Sequence, residues 1–184
     1  MFKIIPWSED LDLTEFYAEA DRRGFTNNSS QKAMVDCFRN ETKWCVWILY
    51  YNDKAVGSVA AHSFDKIMGE NSYRIATRTC VFTDMLPKDT LRTKNQIITH
   101  QHVTAQFLIP ACIEWVPKGS KMYITSNEND AGTQRLVHRI FGPAMEASGQ
   151  MRKVRELFYR GTNQTVWELF PNKFLEELGK YPRW

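Results

Sequence analysis

Residues 73–83 form an apolar run, 96–116 a helical pattern and 121–126 a second apolar run. This strand–helix–strand succession constrains the fold more than any other feature of the chain. A long helix between two strands of one sheet carries the chain back to its starting side, so the strands run parallel. The connection is right-handed, because twisted strands and right-handed helices pack together only that way. Between the first strand and the helix lies a proline-bearing loop that closes on Arg92-Thr93-Lys94-Asn95-Gln96-Ile97. A strand, a donor-rich loop and a helix N-terminus in that order make an anion site, since loop N–H groups, the helix dipole and flanking cations all favour a phosphate. The glycines that bring a backbone close to a pyrophosphate are missing from it.

The remaining pattern adds strands and helices around this unit. Residues 2–5 read as a strand ended by Pro6. Ser8 is predicted to cap a helix with Leu13, Phe16, Tyr17 and Ala20 on its inner face and Gly24 as its stop. A short helix follows from Ser30, with Met34, Cys37 and Phe38 inward. The runs 44–51 and 54–64 flank Asn52-Asp53 and form a hairpin, and 73–83 extends it into a three-strand antiparallel meander. The helix 96–116 is predicted to kink at Pro110, and the helix 131–147 at Pro143, with Leu136, Ile140 and Met145 inward. Residues 151–159 and 165–170 form a hairpin around Gly161-Thr162-Asn163. Pro171 opens a last helix that packs Phe174, Leu175 and Leu178. The result is an α/β (α+β) chain with a mixed central sheet and helices on both faces, expected to form one domain over 1–184.

Composition narrows the function. A net charge of +3 is too small to argue for nucleic acid. The cysteines, Cys37, Cys45, Cys80 and Cys112, form no CxxC pair and sit in apolar segments, as small core hydrophobes do in a reducing compartment. No metal is expected, because His and Cys do not cluster at ligand spacing. No apolar run is long enough for a bilayer, and Met1-Phe2-Lys3-Ile4-Ile5 leads at once into proline and acids, so a cytoplasmic location is expected.

The element order resembles the GNAT (Gcn5-related N-acetyltransferase) fold over nearly the whole chain. The hairpin 49–57, ending Ala55-Val56-Gly57, looks like the family's second and third strands. The loop at Arg92 falls where the family has its Arg/Gln-x-x-Gly-x-Gly/Ala pyrophosphate loop. Arg92 matches the first position, Asn95 replaces the first Gly and Ile97 the second small residue. Asn tolerates positive φ, whereas a β-branched side chain at Ile97 crowds a phosphate. The resemblance implies an acetyl-CoA or other acyl-CoA-dependent N-acyltransferase, whose acceptor is a small-molecule or protein amine. It implies cofactor contacts through Arg92, Thr93, Lys94, Asn95, Asn127 and Asn129, and carbonyl polarisation by the backbone of Val81, Phe82 and Thr83. The family often places its general acid, a Tyr, in the helix after the fifth strand; here His138 is the nearest substitute. The run 92–95, His100-Gln101-His102 and the segments 124–127 and 139–143 also resemble uncharacterised GNAT-like proteins of T4-like marine phages. Arg78 with Asp84-Met85-Leu86-Pro87 is similar to a GNAT-like phage DNA-modification protein. The alternative is therefore a GNAT-like chain without CoA activity, acting on DNA or binding a protein.

Read as residues, His102 and His62 are candidate bases, since imidazole titrates near neutrality, with hydrogen-bonded structural histidines as the plainer reading. Asp84 is a base or a turn former. On the strand 73–83, Arg74, Ala76, Arg78 and Cys80 alternate onto one face, where Arg74 and Arg78 either hold an anionic substrate or pair with acids. The run 126–130 is rich in N-capping residues, and Asn127 can do more than cap.

Overall fold

The computed structural model describes residues 1–86, 96–130 and 132–181, apart from the side chains of Gln96, Ile97, Ile98 and Thr133. The elements are β1 (Phe2–Pro6), α1 (Thr14–Arg22), α2 (Gln31–Val35), β2 (Trp44–Tyr51), β3 (Lys54–Ser63), α3 (Asp65–Met68) and β4 (Ser72–Val81). They continue with α4 (Gln96–Val103), α5 (Ile109–Trp115), β5 (Lys121–Ser126), α6 (Thr133–Leu136), α7 (Gly142–Ala147), β6 (Met151–Tyr159), β7 (Thr162–Leu169) and α8 (Pro171–Leu178). The strands are hydrogen-bonded in the order β1-β2-β3-β4-β5-β7-β6. The crossover expected from the sequence is present: β4 and β5 pair in parallel from Ser72↔Lys121 to Arg74↔Tyr123. The chain divides into two compact units, 1–63 with 76–112, and 64–75 with the residues from Ile113 onward.

In the first unit, Leu13, Phe16 and Ala20 of the α1 segment, Met34 and Phe38 after it, Val46, Ile48, Ala60 and Cys80 of the strands, and Phe82 just past β4 form one buried cluster. The β2–β3 turn is Asn52-Asp53, with φ of 46° and 62°, the pair of left-handed residues that a tight hairpin demands. Ser30 caps α2 as its sequence suggests, its Oγ accepting from the Ala33 N–H at 3.0 Å. Ser8 does not cap a helix. Leu11 N–H donates to its carbonyl in an isolated turn. The helix starts at Thr14 with Leu13 at the N-cap position, and the Thr14 N–H donates to Asp12 Oδ1 at 3.1 Å, a turn contact just ahead of the helix. Strict alternation also fails in β4, because Ala76 and Arg78 both have φ of 54°. Each left-handed residue rotates the chain out of its pleat.

In the second unit, Phe64, Tyr123 and Val166 form a smaller cluster with Tyr159 against it. The β6–β7 turn is Arg160-Gly161, with φ of 50° and 81°, so β7 begins at Thr162, before the strand start expected at 165. Ile140 is 56% exposed rather than inward, and Leu175 is exposed beside the buried Phe174.

Both prolines act on the turn before them. A π-helical turn, Thr104–Leu108, precedes Pro110, and another, Val137–Phe141, precedes Pro143. Proline lacks an N–H and its ring strikes the carbonyl four residues back; widening the preceding turn relieves both. The wide turn also shifts the helical phase, which is why Ile140, four residues after Leu136, swings outward.

Candidate active site

The C-terminal end of β5 opens into a cleft of about 510 Å³, lined by Ser126 to Asn129, His138, Glu156 to Phe158 and Asn163 to Thr165. Antiparallel pairing sets Ser126 of β5 opposite Thr165 of β7, and Ile124 opposite Trp167. Both hydroxyl residues are buried. The π turn after α6 brings His138 over them. Its Nδ1 lies 3.2 Å from Thr165 Oγ1 and 3.5 Å from Ser126 Oγ. Ser126 Oγ in turn accepts from Trp167 Nε1 at 2.8 Å. The other imidazole nitrogen, Nε2, lies 3.8 Å from Glu128 Oε2, and the side chain is 23% exposed. Glu156 is held below the usual carboxylate range by Lys153, whose Nζ is 2.8 Å from Oε1.

Gly142 makes this packing possible. A Cβ there would lie 2.6 Å from Trp167 Cζ2 and 2.8 Å from the Val137 carbonyl. Only the bare backbone lets the start of α7 rest on the indole whose N–H feeds Ser126.

Asn127 is buried, and its Oδ1 accepts from the Asn129 N–H at 2.8 Å, forming the turn that shapes the mouth of the cleft. Arg74 is buried, donates from Nε to Thr125 Oγ1 at 2.9 Å and stacks its guanidinium 5.2 Å from the Tyr159 ring centre. Arg78 is half-buried; its carbonyl accepts from Asn28 Nδ2 and Ser58 Oγ, both at 3.4 Å.

The other sequence candidates lie elsewhere. His62 is fully buried on β3, with Nδ1 donating to the Ser63 carbonyl at 2.7 Å. His102 is half-buried on α4, while His100 on the same helix is the inward histidine. Asp84 pairs with Arg23, whose Nη2 donates to Oδ2 at 3.0 Å, and this partner holds its carboxyl below the usual range. Such a carboxylate is a weak proton acceptor near neutrality. Val81 and Phe82 are buried, and Phe82 N–H donates to Val56 O at 2.7 Å. Thr83 opens a 3₁₀ turn beyond β4. Arg92, Thr93, Lys94 and Asn95, and the side chain of Ile97, lie outside the described residues. Burial pushes the thiols of Cys80 and Cys112 up to about 12 and that of Cys45 to about 11, so these stay protonated. Among the described residues no group of His, Cys, Asp and Glu is placed to hold a metal ion. No helix among them is long and apolar enough to cross a membrane.

Sequence reasoning missed Ser126, Thr165 and Trp167 as partners of His138. Their meeting depends on the β5–β7 register, which joins residues about 40 apart and leaves no local periodicity to read.

No family model and no curated protein sequence matches the chain. Solved structures do match. Aminoglycoside acetyltransferase AAC(6')-Ib, solved with coenzyme A and kanamycin, aligns at a TM-score of 0.58 and 9% identity, over 96% of this chain and 98% of that one. An acyl-CoA N-acyltransferase from Pseudomonas aeruginosa aligns at a TM-score of 0.50 and 12% identity, over 92% of this chain and 100% of that one. Together with the strand order and the parallel β4–β5 pair, these alignments give the chain a GNAT-like fold.

Proposed function

We propose that the chain transfers an acyl group from an acyl-CoA to an amine. One observation carries the reading: in a chain of GNAT fold, the helix after β5 turns His138 toward a polar cleft at the end of that strand. That is where the sequence resemblance sets the proton donor. The amine nitrogen attacks the thioester carbon, the C–N bond forms and the C–S bond breaks. The surplus proton on nitrogen passes to water, or through water to His102, because His62 is sealed from solvent and Asp84 is tied to Arg23. The departing sulfur takes a hydrogen bond from His138 and its proton from solvent. With Cys45, Cys80 and Cys112 held as thiols, direct attack is favoured over an acyl-cysteine intermediate on them.

The cleft suits a polar, cationic acceptor. Glu128 and Glu156 line it beside Asn129, Asn163 and Gln164. In this reading Arg92, Thr93, Lys94 and Asn95 hold the pyrophosphate, on sequence grounds alone, and Arg78 is kept for an anionic group of the substrate.

Two measurements test the proposal. Acetyl-CoA at 100 times its Kd adds about 2.7 kcal/mol to the native state, which raises Tm by about 5–10 °C. Coenzyme A release should then depend on added polyamine and fall with His138→Gln. If millimolar acetyl-CoA leaves Tm unchanged, the transferase reading fails and a chain that binds DNA or a protein replaces it.

A further inference from the structure

We infer that Ser126, Thr165 and Trp167 are positioning residues that fix the neutral His138 side chain in its Nε2–H form. The imidazole then meets the cleft as a hydrogen-bond donor and never as a base. Ser126 Oγ accepts from Trp167 Nε1–H, a group that can only donate. Ser126 and Thr165 are buried, so each hydroxyl proton needs an acceptor within the protein. The side-chain atom within reach of both is His138 Nδ1, at 3.5 and 3.2 Å. If Nδ1 carried the proton, it would donate to one hydroxyl and leave both hydroxyl protons without that acceptor. With its lone pair turned inward, Nδ1 accepts chiefly from Thr165 and shares the longer contact with Ser126.

The opposite side of the ring agrees. Glu128 Oε2 lies 3.8 Å from Nε2, and a carboxylate there favours an N–H over a lone pair. Glu156, from β6, is the second acid lining the cleft. Protonating the imidazole adds a proton at Nδ1 and leaves Nε2–H in place. Either charge state thus presents an N–H to the cleft. Under the transferase reading, on which this consequence rests, His138 stabilises the departing sulfur and does not take the amine proton.

The tautomer can be read without any acyl-CoA. Protein carrying ¹⁵N-histidine is studied by long-range ¹H–¹⁵N correlation above the ordinary histidine range of about 6.5, with His138→Gln to assign the signals. Wild type should show a pyrrole-type Nε2 and a pyridine-type Nδ1 at His138. Thr165→Val combined with Ser126→Ala should produce a mixture of both tautomers. A pyrrole-type Nδ1 in wild type overturns the inference, even if the variants fail to fold. So does an unchanged spectrum in a folded double variant. In the kinetic arm, Thr165→Val lowers kcat about tenfold, below the 10²–10⁴ span of full acid–base catalysis, with KM for acetyl-CoA unchanged. Should the protein prove to have no transferase activity, the proposed function falls while the spectrum still decides the tautomer.

Discussion

Burial moves the His100 imidazole from its ordinary value of 6.5 down to about 4. Its Nε2 is buried with no partner among the described residues, and Nδ1 lies 3.4 Å from Thr104 Oγ1. The stability this neutral histidine preserves is fully present above 6.5. As pH falls from 6.5 toward 4, the unfolded chain takes a proton that the folded chain refuses. Roughly 3 kcal/mol is lost across that window. His100→Gln should flatten the acid limb of the stability curve, measured by urea melts at pH 7, 5.5 and 4.5. A second residue-scale test lies in β4. A left-handed Ala costs about 1 kcal/mol over Gly, while Gly in an ordinary strand costs about as much over Ala. Ala76→Gly should therefore leave the urea midpoint unchanged or raise it, the opposite of glycine at a regular strand position. The Arg78 carbonyl needs its own support. Asn28 is buried, and its amide bridges that carbonyl and Ser58 Oγ. Asn28→Ala should cost about 0.5–1.5 kcal/mol by removing its two hydrogen bonds, while Ser58 Oγ still donates to the Arg78 carbonyl, as urea melts would show.

At the scale of elements, the start of α7 rests directly on Trp167 of β7. Gly142→Ala drives a methyl into Trp167 and the Val137 carbonyl, and the carbonyl is backbone that cannot step aside. The expected loss is about 1–3 kcal/mol with a changed tryptophan emission, read by thermal melts and fluorescence. Elements with strong local signals were legible in the sequence. The aromatic run of β2, the Asn52-Asp53 turn and β5 fall where periodicity and turn chemistry set them. Ser8 misled because an N-cap residue is also a turn residue, and only the position of the apolar face distinguishes the two. Pro110 and Pro143 announced trouble but not its form, since a missing N–H can end in a kink or in a widened turn.

For the whole molecule, the parallel β4–β5 pair followed from the crossover helix, and with it the fold class. The cluster around His138 did not follow, because Ser126, Thr165 and Trp167 meet only once β5 and β7 are in register. Global unfolding should also control the chemistry of the thiols. Cys45, Cys80 and Cys112 are expected to resist a thiol reagent at pH 8 and to react when urea unfolds the chain, as intact-mass measurements would show. Chain length itself bears on the π turn at Val137–Phe141. Such a turn is an α-helix holding one residue in surplus, and Ile140 is an exposed apolar side chain that no inner face requires. A chain shortened by that single residue would run from α6 into α7 as a regular helix, with His138 turned by about 100° relative to α7. The cleft at the end of β5 thus depends on one residue more than a regular helix would hold, and a deletion on the surface would reach it as surely as a substitution inside.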